Sequence, residues 1–380
     1  MGVLVMKMKI VFNNGAYSMS GRRVNRERAR GARTDERQPP RAAARDGGRP
    51  RRTRVSAVPL VVVAAAWRGR TSRLPCSAPV GLASMQTRMK PQAPILRPVP
   101  PLGTVLVFDL ELGVDPRAGL AAIRREPTSG DVAIGIGEPL ARALGARVDG
   151  LRGFPALSGV GVAFPSTQGA LWISIAGEER GAVLDRALAL RRRLGPGFRL
   201  TEEVDTFRYR GGRDLTGYED GTENPKGELA AAAALVGSEA PGMRNASFVA
   251  VQRYVHDLER FGANDAAGRD AIVGRRFEDN EEIPDAPVTA HVKRTAQESF
   301  DPPAFMVRRS MPWGTVREHG LYFVAFGESL DRFERVLRRM AGLEDGKVDG
   351  LLGFTRVLSG GYYFCPPLGD DGLDLRAVGL

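Results

Sequence analysis

Charge is divided so unevenly along this 380-residue chain that only part of it can be expected to fold. Residues 1–90 carry 20 Lys and Arg against 4 Asp and Glu, whereas the remainder carries 35 against 40. A like-charged block rich in Arg, Gly, Pro and Ala and poor in aromatics buries too little apolar surface to offset the entropy of ordering it. Residues 1–90 therefore read as a disordered basic extension, with Met85 or Met89 nearer the functional start. The apolar run at 55–67 contains Pro59 and stands far from the N-terminus, so it does not read as a targeting segment. The formal charge of +11 belongs to the extension. What remains is mildly acidic, which removes nucleic acid and acidic membrane surfaces as expected partners. No run approaches the ~20 apolar residues that span a bilayer. With two cysteines, Cys76 and Cys365, a reducing compartment and a cytoplasmic location are expected.

From residue 91 onward the pattern is that of packed strands and helices. Residues 104–110, 131–137, 171–176, 247–255, 321–326 and 361–364 are β-rich and bounded by turn residues, so each reads as a strand. Asp115-Pro116 opens a helix that runs to Arg125, the Asp suited to the cap and the Pro to the first turn. Residues 181–194 and 330–340 read as amphipathic helices. Ile175-Ala176-Gly177-Glu178 precedes Leu184-Asp185-Arg186, and Ala325-Phe326-Gly327-Glu328 precedes Leu330-Asp331-Arg332. A strand closing in Gly-Glu before a Leu-Asp-Arg helix in both halves is what a duplicated unit leaves behind. Adjacent strand pairs interleaved with helices favour an α+β sheet over an all-parallel one.

Residues able to carry chemistry are few. The only histidines are His256, His291 and His319, separated by 35 and 28 residues, which matches no zinc motif. His-x-x-x-His, Cys-x-x-Cys and Gly-x-Ser-x-Gly elements are absent. Gly135-x-Gly137 lacks the third glycine and the helix of a dinucleotide site. Read singly, each histidine is more often a surface or hydrogen-bonded core residue than a ligand. Asp220 before Gly221 suits a turn, and Arg308 and Arg309 suit a solvated surface.

Three segments change that when taken together. They are Gly217-Tyr218-Glu219-Asp220-Gly221-Thr222-Glu223-Asn224-Pro225, His291-Val292-Lys293-Arg294-Thr295, and Arg308-Arg309-Ser310-Met311-Pro312-Trp313-Gly314. The set resembles the dye-decolorizing peroxidases, with their Gly-x-x-Asp-Gly motif, proximal histidine and distal arginine. Gly320-Leu321-Tyr322-Phe323 and Gly360-Gly361-Tyr362-Tyr363-Phe364 are similar to the bacterial B-type branch. The resemblance covers roughly residues 91–367.

It implies an α+β fold of two ferredoxin-like halves, with facing antiparallel sheets and peripheral helices. The halves would span 91–210 and 247–380, joined by a crossover at 211–246 that carries the motif, with the cofactor in the second. The implied cofactor is haem b, iron protoporphyrin IX. His291 would be its proximal ligand and Asp349 the carboxylate behind that histidine, with Asp345 close by in sequence. Asp220 would shuttle a proton on the distal side. Arg308, with Arg309 as the alternative, would be the cation that stabilises the departing oxygen. Ser310 stands where some relatives have asparagine. His256 and His319 stay outside the site, and Cys365, in a terminal strand, is a poor thiolate ligand. Trp313 and Tyr218 are candidate electron relays.

The implied partners are hydrogen peroxide and dyes or other aromatic donors, oxidised in one-electron steps. A homo-oligomer is expected. Relatives are displayed as cargo of a protein shell through a C-terminal tail, here residues 369–380. The competing class is a haem-handling or iron-releasing protein with incidental peroxidase activity.

Overall fold

A computed structural model of the protein describes residues 89–380. The expected basic extension lies outside the described residues but for its last two positions, and so do the apolar run at 55–67, Cys76 and Met85. The first half runs β1 (Leu102–Leu110), α1 (Arg117–Ile123), β2 (Val132–Gly137), α2 (Glu138–Ala143), a short hairpin of β3 (Leu157–Gly159) and β4 (Val162–Phe164), β5 (Leu171–Gly177), α3 (Arg180–Leu194) and β6 (Phe198–Phe207). After α4 (Gly227–Ala234) come β7 (Ser247–His256), α5 (Leu258–Gly262), α6 (Ala266–Val273), α7 (His291–Thr295), β8 (Val307–Arg308), β9 (Met311–Gly314) and β10 (His319–Gly327). Then follow α8 (Leu330–Met340), β11 (Thr355–Val357), β12 (Gly361–Cys365), and the small pair β13 (Leu368–Gly369) and β14 (Gly372–Leu373).

The duplication suggested by the Gly-Glu repeat is present in the topology. Strand order in the first half is β6-β1-β5-β2, and in the second β12-β7-β10-β9. Counted within each half this is the same order, fourth-first-third-second, with antiparallel pairing throughout, so each half is ferredoxin-like. β5 and β10, which carry the two Gly-Glu ends, occupy equivalent places. The two sheets face each other and also join at both edges. β12 pairs with β2 through Tyr363↔Gly137 and Phe364↔Ile136, and β6 with β9 through Thr206↔Trp313. Eight strands thus close a ring, which leaves no long unpaired edge in it.

Period-two alternation sorts side chains between the inside and outside of this ring. From β1, Val105 and Val107 point inward with Trp172, Val249, Tyr322 and Tyr363, while Leu106 and Phe108 belong to the outer core. Outside, α1 and α3 cover the first sheet and α8 covers the second. The last residues of the chain return to the first half: Leu368 bridges Lys90, and Leu373 donates its N–H to Arg124 O and accepts from Arg124 Nε. Leu373, Leu375 and Val378 are buried there.

Gln92 ties the start of the described chain to this frame. It is fully buried, its amide donating to the carbonyls of Ile134 and Pro366 at 2.9 Å each and accepting from Ile134 N at 2.7 Å. Gln92→Leu leaves those buried backbone groups unpaired and is expected to cost about 2–3 kcal/mol by denaturant titration. Deletion of residues 1–88, which spares Gln92, is expected to leave the thermal midpoint unchanged.

Candidate active site

The outer face of the second sheet is not fully covered. Alternate residues of β7, Gln252, Tyr254 and His256, share one face with Leu321 and Phe323 of β10. Over them lies the apolar stripe of α8, Phe333, Val336, Leu337 and Met340, at the i, i+3, i+4, i+7 spacing of one helix face. Between sheet and helix a slot opens, and His291, Asp220 and Arg308 all line it. Sequence positions 220, 291 and 308 are brought to one cavity by the crossover, α7 and β8.

His291 opens the single-turn helix α7, which Arg294 ties to α8 and to the loop after it. Arg294 is buried and grips both oxygens of Asp345 at 2.8 Å, with Nη2 also donating to Arg339 O. Those hydrogen bonds, chiefly from Arg294, hold the Asp345 carboxyl down to about 2. Asp345 is therefore occupied, and Asp349 is the acid on His291: Nδ1 and Oδ2 are 2.8 Å apart. Asp349 is fixed from every side, its Oδ1 accepting from Leu351 N and its own N–H donating to Met340 O. A carboxylate only accepts, so Nδ1 carries the proton and the Nε2 lone pair is the free end of the ring. Burial pushes the His291 pKa down, but the charge and hydrogen bond of Asp349 outweigh it and the net shift is upward.

Asp220 sits in a turn whose two glycines are demanded by geometry. Gly217 and Gly221 have φ of 89° and 75°, the left-handed region that favours glycine. A Cβ on Gly221 would also meet Asn224 Nδ2 at 2.8 Å. That amide cannot move aside freely, because it donates to Arg308 O at 3.0 Å, while Asn224 Oδ1 accepts from Arg308 N at 2.8 Å. The motif thus fixes the acid and clamps the backbone of the arginine. Sequence reasoning missed Asn224; its signal was the Thr-Glu-Asn-Pro continuation, which gave no reason for the amide. Asn224→Ala removes both bonds and is expected to slow the reaction with peroxide about tenfold, measured by stopped flow, with haem content retained.

Burial raises the Asp220 pKa, opposed chiefly by the charge of Arg308. Arg308 Nε is buried without a partner among the described residues, and no acceptor there takes its guanidinium. Arg309 turns away from the slot and is held by the carbonyls of Arg308 and Leu96. Ser310 Oγ accepts from Val324 N and does not line the slot.

The other sequence candidates fall in several places. His319 is half-exposed at the start of β10, its Nδ1 3.2 Å from Thr315 O. His256 does reach the slot wall, but Nδ1 meets Thr355 Oγ1 at 2.7 Å and Nε2 meets Asp214 Oδ1 at 3.2 Å, so both nitrogens are engaged. Trp313 lies inside the ring, its Nε1 donating to Tyr254 O and the Arg253 guanidinium 3.8 Å from its ring centroid. Tyr218 lines the slot and donates its hydroxyl to Asp270. Cys365 is fully buried within the ring core, where burial pushes its thiol pKa up.

This donor set suits a cofactor that brings its own equatorial ligands. Among the described residues no group of three or more His, Cys, Asp or Glu could hold a metal ion. A single histidine backed by a carboxylate suits an axial position, and the slot walls suit an apolar macrocycle. The fully buried Gln252 Nε2 lacks an acceptor among the described residues, and haem carboxylates are acceptors. The slot has about 130 Å³ of accessible space, less than the ~300–1,000 Å³ of sites for organic molecules.

Comparison with known proteins points the same way. A family model described as Dyp-type peroxidase, C-terminal, matches residues 211–370. The dye-decolorizing peroxidase of Mycolicibacterium paratuberculosis is 31% identical over 317 residues, covering 77% of this chain and 88% of that protein. Among solved structures, a dye-decolorizing protein from V. cholerae superposes with a TM-score of 0.66 at 28% identity, covering 72% of this chain and 96% of that one. A DypB variant from Rhodococcus jostii in complex with heme gives a TM-score of 0.67 at 28% identity, covering 73% and 96%.

Proposed function

Because the chain belongs to the dye-decolorizing peroxidase family, and is therefore a haem peroxidase acting on peroxide and a reducing substrate, we propose that His291, Asp349, Asp220 and Arg308 are the residues that carry its reaction. The observation that supports this most is their convergence on one slot, with the Nε2 of a carboxylate-backed histidine left free.

The cofactor would be haem b, held by His291 Nε2 and bordered by Arg308, and when bound it supplies the electrons for peroxide reduction and takes them back singly from dyes or other aromatic donors. Asp349 holds the imidazole in one tautomer and makes it a stronger donor. The Asp220 carboxylate accepts a proton from hydrogen peroxide and returns it to the departing oxygen, which leaves as water. Arg308 presents a fixed positive charge to the negative charge that builds as the O–O bond breaks. Apolar walls exclude bulk water and so strengthen both effects.

The haem-handling alternative needs the same His291–Asp349 pair but has no use for Asp220 and Arg308. The purified, haem-loaded protein is expected to oxidise 2,6-dimethoxyphenol with saturation in peroxide, far faster than free haem. A rate no higher than that of free haem would leave only the alternative.

We further propose a homo-oligomer, which light scattering will test, and a reducing cytoplasmic setting. No helix among the described residues is long and apolar enough to cross a membrane. Display as shell cargo would require the tail after β13, of which Leu373, Leu375 and Val378 are packed into the core.

A further inference from the structure

Asp214 is a second carboxylate of the slot, lining it with Asp220, its side chain only 16% exposed. Its Oδ2 accepts from Thr216 N at 2.8 Å and from Thr216 Oγ1 at 2.6 Å, and its Oδ1 lies 3.2 Å from His256 Nε2. Burial pushes the Asp214 pKa up, but the hydrogen bonds of His256 and Thr216 outweigh it and the net shift is downward. Asp214 is therefore a fixed negative charge in the slot wall.

The backbone puts that charge beside Asp220. The crossover folds back on itself as a short antiparallel ladder. Arg213 and Glu219 form its bridge, with Asp214 N donating to Tyr218 O at 2.9 Å and Asp220 N to Gly212 O at 3.3 Å. Side chains alternate between the two faces of such a ladder. Arg213 and Glu219 stand opposite each other and pair at 2.9 Å. Asp214, Tyr218 and Asp220 share the other face, and all three line the slot. Asp214 and Asp220 are diagonal neighbours across the ladder, a relation that sets residues ~7–8 Å apart. Two carboxylates so placed repel, and the one with fewer hydrogen bonds holds a proton more tightly. That one is Asp220, which takes only the Gly221 N–H. Burial acts most strongly on it; Arg308 of β8 opposes burial, Asp214 adds to it, and His291 of α7 opposes it more weakly.

We propose that Asp214 is a positioning residue of the reaction: a fixed negative charge, held by His256 and Thr216, that makes Asp220 a stronger base for the proton of hydrogen peroxide. Asp214 itself exchanges no proton. Asp220 takes the proton from peroxide and returns it to the departing oxygen, and Asp214 stays ionised throughout. The proposal rests on the reading of Asp220 as the proton acceptor and adds the group that sets its strength.

In the haem-loaded full-length protein, Asp214→Asn is expected to move the acid limb of the peroxide reaction to lower pH by about one unit, with haem content and Soret position unchanged. A residue that only braced the turn would lower the thermal midpoint and leave the limb in place. Asp214→Asn/His256→Gln replaces both partners, so neither is left stranded. It should give the same shift, and it carries the test where the single variant does not fold. A second arm needs no peroxide: the infrared carboxyl band that Asp220→Asn abolishes should titrate at correspondingly lower pH in both Asp214 variants. A band that shifts while the limb does not counts against Asp220 as the base and not against its coupling to Asp214. A band that stays in place overturns the role proposed for Asp214, whatever the limb does.

Discussion

His291→Ala is expected to give a folded protein that no longer retains haem, or that retains it without the normal Soret position. The effect should be the largest of any single substitution, because His291 is the only histidine in the slot with a free nitrogen. His256 also lines the slot, but Thr355 and Asp214 occupy its ring. His256→Ala is therefore expected to lower the thermal midpoint, by stranding Asp214, while leaving the Soret band in place. His319→Ala, on the surface, should change neither. Asp349→Asn separates ligation from its support: the amide keeps the size of the acid but cannot serve as a charged acceptor for Nδ1–H. It should weaken haem retention about 10–100-fold, less than loss of the ligand itself. Absorbance spectra and haem-transfer rates of the four variants read all of this. Retention of a normal Soret band by His291→Ala, with its loss in His256→Ala, would reverse the assignment.

Much of the fold was legible because the buried strands are written in β-branched and aromatic residues with clear ends. The expected strands at 104–110, 131–137, 171–176 and 361–364 lie within two residues of β1, β2, β5 and β12, and the helix at 330–340 coincides with α8. β6 was not read because Thr201-Glu202-Glu203-Val204-Asp205 looks like a solvated loop. Its polar residues face outward or, like Glu202, meet Arg253 inside the ring, so only the partner strand explains them. β8 and β9 are too short to show a period. Closure of the two sheets into a ring was invisible for another reason: it depends on three residue pairs between strands far apart in sequence.

At the site, residue types were legible and their partners were not. Apart from the resemblance, which singled out Asp349, nothing in the Glu344-Asp345-Gly346-Lys347-Val348-Asp349 run says which acid meets His291. The choice follows from Arg294, which is buried and takes Asp345. Similarly, only the resemblance favoured Arg308 over Arg309, which are alike as residue types. They differ in where their side chains go: Arg308, the last residue of β8, enters the slot, and Arg309, just past the strand, meets Leu96 O.

Arg308→Leu is expected to slow the reaction of the haem-loaded protein with peroxide by about 10²–10³-fold, the usual loss of one preorganised electrostatic donor. Asp220→Asn should slow it by about 10²–10⁴-fold if no water replaces the proton relay. Asp220 also lines a second hollow on the far side from the slot, roomy enough for water to stand in for the relay, so the Asn variant is expected at the lower end and Arg308→Leu at least equal to it. Neither should alter haem content, because the ligand proposed for the iron is His291. The pH dependence distinguishes the two roles. Asp220 accepts a proton only as a carboxylate, so the rate must fall as pH falls through its folded pKa. Burial raises that pKa above the ordinary carboxylate value, with Arg308 the main opposing charge. The parent should therefore show an acid limb above the usual carboxylate range. Asp220→Asn should lack it, and Arg308→Leu, having lost the cation that favours ionisation, should move it to still higher pH. Stopped-flow rates across pH measure all three. An acid limb that persists in Asp220→Asn would assign the proton to another group.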